Sequence, residues 1–172
     1  PGGAIGQALI GRMIAMSRTK EVQENYSKIG GGSPIVRGTT LQGRGLVERL
    51  RARGHDVAFA MAMRYWNPTT DSALDSLERV GVDRLLSLTL YPHYSMATTG
   101  SSVAELLRVM KRRKTALPLE RIDAWYDHSG YLDALALRTK EALAQFPPGV
   151  TPTILVSAHG LPAVSERVLV TG

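Results

Sequence analysis

A doubly wound α/β fold on a parallel sheet is predicted by three observations. Short apolar runs alternate with longer stretches of helical period, glycine or proline marks the boundaries, and the histidines and aromatic residues gather after the strands rather than before them. Strand, helix, strand in close alternation pairs in parallel with right-handed crossovers, and ligands then bind beyond the carboxyl ends of the strands.

Four segments have the length, β-branched or aromatic content and turn-rich flanks of buried strands: 57–63, 84–90, 121–125 and 153–157. Helices fill the gaps. Residues 40–53 predict a helix stopped by Gly54, and 70–80 predict one with Ala73, Leu74, Leu77 and Val80 on one stripe and Gly81 as terminator. A third, 102–114, opens on a capping box of Ser102 and Glu105 and buries Val103, Leu106, Leu107 and Met110. The fourth, 130–146, turns Leu132, Leu135, Ala136, Leu143 and Phe146 inward and stops at Pro147-Pro148.

Composition limits the alternatives. With 172 residues, 44% of them hydrophobic, the chain can build one domain with a core but hardly two. Cysteine is absent, so this chain supplies no disulfide, thiolate zinc site or cysteine-held iron–sulfur cluster. An N-terminal helix over 4–16 carries Ile5, Leu9, Ile10, Met13 and Ile14, but Gly6, Gln7, Gly11 and Arg12 make it too short and polar to span a bilayer. Its apolar face suits either ordinary core or a peripheral contact with membrane or hydrophobic substrate, in an otherwise soluble, cytoplasmic protein. The net charge of +6 owes four positive charges to the run 111–114, which closes a predicted helix where the dipole favours cations. A solvated helix end follows, not a nucleic-acid surface.

The loops after the four predicted strands hold three of the four histidines, His93, His128 and His159, and six of the ten aromatic residues lie in these loops or right at their entry: Tyr65, Trp66, Tyr91, Tyr94, Trp125 and Tyr126. Aromatic faces and imidazoles on one rim suit a flat, conjugated, apolar ligand with a metal or proton to exchange. His159, held between Ala158 and Gly160 directly after a strand, is the strongest single candidate, whereas His93 or His128 alone is more often a hydrogen-bonded structural residue. The glycine-rich stretches 30–34 and 98–102 could present amides to an anion, yet neither is a phosphate-loop or dinucleotide motif.

Four stretches in order resemble the signatures of the ferrochelatases. They are Tyr26-Ser27-Lys28-Ile29-Gly30-Gly31-Gly32-Ser33-Pro34-Ile35, then Met63-Arg64-Tyr65-Trp66-Asn67-Pro68, then Leu90-Tyr91-Pro92-His93-Tyr94-Ser95 through Thr98-Thr99-Gly100-Ser101-Ser102, and Ser157-Ala158-His159-Gly160-Leu161-Pro162. The resemblance implies a chelatase-like fold of two similar domains with a porphyrin cleft between them, and insertion of ferrous iron into protoporphyrin IX or coproporphyrin to make heme. It implies that His159 handles metal or pyrrole protons, that Tyr26, Ser33 and Tyr126 contact the tetrapyrrole, and that Arg64, Tyr65 and Tyr91 line the cleft. Iron is then a substrate, with no resident cofactor, and the wording around Arg64-Tyr65 is closer to the protoporphyrin-using branch. Residues 1–172 are expected to form most of the first domain, lacking its first strand and the second domain, because the chain opens at Pro1 and stops at Gly172, where the family continues Asp-Pro-Tyr. Two other readings are a chelatase for cobalt or nickel and a non-catalytic tetrapyrrole-binding fragment. Oligomeric state is not legible in the sequence.

Overall fold

The structure, a computed structural model, describes residues 19, 21–157 and 160. The predicted helix at 4–16 and His159 lie outside the described residues. The chain divides into two compact units, Pro1–His55 and Asp56–Gly172.

In the first unit a helical stretch at 21–27 runs into a turn organised by one carbonyl. The Tyr26 oxygen accepts from the N–H of Ile29 at 3.1 Å and of Gly31 at 2.8 Å. Gly30 and Gly31 take φ of 102° and 87°, a region where a side chain would be strained. Helix α1, Ile35–Arg51, begins five residues before the predicted start at 40. Pro34 stands at its N-cap with φ already near the helical value, so the helix needs no stronger polar start signal there. It ends as the sequence indicates: Gly54 at φ 85° lets His55 N–H reach the Leu50 carbonyl at 3.1 Å.

The second unit is built on a parallel strand pair. Strand β1, Leu85–Leu88, pairs with β2, Leu119–Ile122, with Leu85 opposite Leu119 and Leu88 opposite Ile122. Helix α2, Thr70–Arg79, precedes β1, and α3, Ser101–Arg113, connects β1 to β2. The core is Leu74 of α2, Leu85 of β1 and Val109 and Met110 of α3, flanked by Leu77, Val82, Leu106, Leu117 and Leu119. Burying an aliphatic side chain contributes roughly 1.5–3 kcal/mol, so this layer is what holds the strand pair against the two helices.

Several expectations change. Segments 57–63 and 153–157 have no regular secondary structure and no ladder partner among the described residues, because a strand needs an aligned edge as well as β-forming residues. The capping box does not form: a π-helical turn, Met96–Gly100, continues α3 backwards, Gly100 N–H bonds the Ser95 carbonyl at 3.0 Å, and Glu105 turns to arginines instead. With that start the inward stripe passes through Val109, fully buried, while Leu107 is exposed. Val80 sits past the end of α2 and is exposed too. Helix α4, Ser129–Leu143, has no buried residue, and Leu132, Leu135 and Phe146 of its predicted inner face are exposed, since 153–157 does not extend the sheet beneath it. The cationic run is not a purely solvated end. Arg112 pairs with Asp71, and Arg113 reaches Asp75 at 2.6 Å and Glu78 at 2.7 Å, which clamps α3 to α2.

Candidate functional site

Because β1 and β2 are adjacent and parallel, the segments after them leave the same edge of the sheet. The two loops are joined by their own hydrogen bonds. Trp125 N–H donates to the Pro92 carbonyl at 2.9 Å, and its indole Nε1–H donates to the Thr89 carbonyl at 2.8 Å. The ring of His93 stacks on Tyr126 with centroids 5.3 Å apart and planes 9° from parallel. Trp125 also takes the edge of Tyr131 at 5.0 Å. Tyr94 lies so close to Gly100 that a Cβ there would stand 2.8 Å from its hydroxyl, which is a reason for glycine at that position.

A third segment, 64–67, meets the start of α3. Arg64 Nε–H donates to the Ser101 hydroxyl at 3.0 Å, and the Tyr65 hydroxyl lies 3.2 Å from the same oxygen. The Arg64 guanidinium also sits 4.6 Å from the centre of the Tyr65 ring, a cation–π contact. Glu105 stands one turn along α3, 4.0 Å from Arg64 and bound through both oxygens by Arg108 at 2.6 and 2.9 Å. The Arg108 hydrogen bonds, more than the charge of Arg64, hold the Glu105 carboxyl below its ordinary range. A shallow cavity of about 270 Å³ lies here, lined by Met63, Arg64, Tyr65, Trp66, Asn67, Thr69, Thr70 and Glu105. That is below the roughly 300–1,000 Å³ of a pocket that encloses a small ligand, so it can receive only the edge of a large one.

Of the residues singled out from the sequence, Arg64, Tyr65, Tyr91 and Tyr126 lie in loops of the second unit, the last two beyond β1 and β2. All four are exposed, Tyr65 at 77%. Tyr26 and Ser33 lie in the first unit. Tyr26 is more than a third exposed, and Ser33 accepts from Ile35 N–H at 3.4 Å just before α1. His128 has a structural role, as it caps α4 by accepting from Gly130 N–H at Nδ1, 3.1 Å away. Ser101 and Glu105 were not legible as partners of Arg64; Glu105 stood out only as a supposed cap. Among the described residues no group of three or more histidines and acids is placed to hold a metal ion. None of their helices is long and apolar enough to cross a membrane.

Residues 2–167 match one protein family, described as ferrochelatase. A ferrochelatase of Geobacter metallireducens is 45% identical over 161 residues, which cover 94% of this chain and 50% of that protein. One from Geotalea uraniireducens is 44% identical over the same shares, and one from Synechococcus sp. strain CC9311 is 44% identical over 87% of this chain and 39% of its own length. The chain thus spans about half the length, or less, of these curated relatives.

Proposed function

The chain belongs to the ferrochelatase family, and from that premise we propose that it forms one wall of a porphyrin cleft and serves the insertion of ferrous iron into protoporphyrin IX, or coproporphyrin, to make heme. The observation that carries this reading is the aromatic rim: Tyr65, Trp66, Tyr91 and Tyr126 are all exposed on irregular segments of one unit. An exposed Tyr or Trp face is costly in water and suited to stacking on a conjugated macrocycle.

In the proposed reaction the rim grips the macrocycle by stacking, with Arg64, Tyr65, Tyr91 and Tyr126 as its wall and Tyr26 and Ser33 as further contacts with the tetrapyrrole. Metallation releases two pyrrole protons as iron enters. His159 takes the metal- or proton-handling role, since an imidazole is a general proton acceptor and a common metal ligand. The whole domain is read as a doubly wound chelatase sheet, first of two similar domains in the whole protein, with a peripheral membrane contact through residues 4–16.

The test uses the full-length protein. Ferrous iron, cobalt and nickel are offered separately with protoporphyrin IX and with coproporphyrin, and metalloporphyrin is read by absorbance. Turnover with ferrous iron is expected; turnover confined to cobalt or nickel, or tight porphyrin binding with no product, would overturn the reading.

A further inference from the structure

We propose that Ser101 and Glu105 are positioning residues, which fix Arg64 and Tyr65 in the pose that receives the edge of the tetrapyrrole; the proposal rests on the cleft reading above and deepens it. Among the described residues the Ser101 hydroxyl is the one hydrogen-bonding group that both rim side chains share, at 3.0 Å from Arg64 Nε and 3.2 Å from the Tyr65 hydroxyl. A hydroxyl offers one proton and two lone pairs, so it serves both partners at once. Ser101 itself is the first residue of α3, whose Val109 and Met110 are in the core. The rim is therefore referred to a rigid element and not to another loop.

Glu105 acts differently. Both of its oxygens are taken by Arg108 at 2.6 and 2.9 Å, while Arg64 comes no nearer than 4.0 Å. It attracts Arg64 by charge without occupying its terminal N–H groups, and among the described residues no hydrogen bond takes them. Two arginines share one carboxylate, so one positive charge is left over beside the exposed Tyr65 ring. Arg64 is thus held at Nε and by its ring contact, with its outer edge still available to a ligand.

A double-mutant cycle in the full-length protein decides the matter. Protoporphyrin IX affinity is measured by fluorescence quenching without metal, and kcat and KM are measured with ferrous iron. Loss of a hydrogen bond that orients a charged group should raise Kd and KM about fivefold in Ser101→Ala. Because the contact serves bound substrate and transition state alike, kcat should stay within about twofold. Ser101→Thr, which keeps the hydroxyl, should restore wild-type affinity. Glu105→Gln should weaken binding less than Ser101→Ala does. In an Arg64→Leu background Glu105→Gln should have no further effect and Ser101→Ala should keep only the part that acts through the Tyr65 hydroxyl, which disappears in Arg64→Leu with Tyr65→Phe. Wild-type Kd in Ser101→Ala, or effects that simply add to those of Arg64→Leu, would overturn the proposal. A wild-type protein that binds porphyrin but inserts no metal would instead overturn the insertion reading and leave the binding cycle to decide this one.

Discussion

The Nδ1 of His128 accepts from the backbone of Gly130 at 3.1 Å, and the ring of His93 lies flat on Tyr126. Both imidazoles thus have structural partners, and the metal- or proton-handling role is proposed for His159 on the family resemblance. In the full-length enzyme His159→Ala is expected to abolish iron insertion while porphyrin binding, followed by fluorescence quenching, stays within about threefold, because stacking does not require the imidazole. Retained turnover in that variant would remove the assignment. The rim aromatics could be found in the sequence because the two strands are legible, although they end at Leu88 and Ile122, two and three residues short of the predicted ends, so that Tyr91 and Tyr126 stand in the loops beyond them. Ser101 could not be found as their partner: its contacts with Arg64 and Tyr65 join residues far apart in the chain, and no local period reports them. Glu105 drew notice for a cap that does not form, since a π-helical turn runs into the helix ahead of Ser102.

Helix limits were legible where glycine marks them, at Gly54 and Gly81, both with positive φ. The face of α3 was less so, because a π-helical turn upstream removes the start signal from which the stripe would be counted. The difference is measurable in chemical denaturation of the full-length protein. Val109→Ala should cost about 2 kcal/mol, from lost transfer energy plus a cavity. Leu107→Ala, at a position nearly half exposed, should cost under about 1 kcal/mol. Equal losses would restore the stripe first drawn from the sequence. The seam between α2 and α3 adds a pH dependence. The hydrogen bond from Arg112 to Asp71, with help from its charge and from Arg113, holds the Asp71 carboxyl below its ordinary value of 3.8. A carboxyl lowered in the folded state contributes stability that is full above the unfolded value and lost as pH falls through the folded one. The stability advantage of wild type over Arg112→Met should therefore be constant well above 3.8 and decline as pH falls below it, through the lowered folded-state value. Since both partners are well exposed, the advantage is small and should shrink in high salt.

At the scale of the whole molecule, the chain matches relatives about twice as long. A porphyrin held on one face keeps its other face in water, so a polypeptide of residues 1–172 alone is expected to bind protoporphyrin weakly and insert no metal at a measurable rate. The comparison is zinc or ferrous insertion by that polypeptide and by the full-length protein at equal concentration; comparable rates would show that one wall is sufficient. The α/β class and the parallel pairing were legible from the alternation of elements. That 57–63 and 153–157 join no ladder among the described residues was not, because apolar content suggests a strand without naming an edge for it to join. The β1–β2 ladder has one more consequence. Parallel neighbours cannot zip outward from a turn as a hairpin does, and Leu85 meets Leu119 only after the chain between them, α3 included, has closed into a loop. The entropy of that closure must be met before the ladder's hydrogen bonds contribute. Folding of this unit should accordingly start with α3 docking its Val109 face onto β1, and the strand pairing should close late.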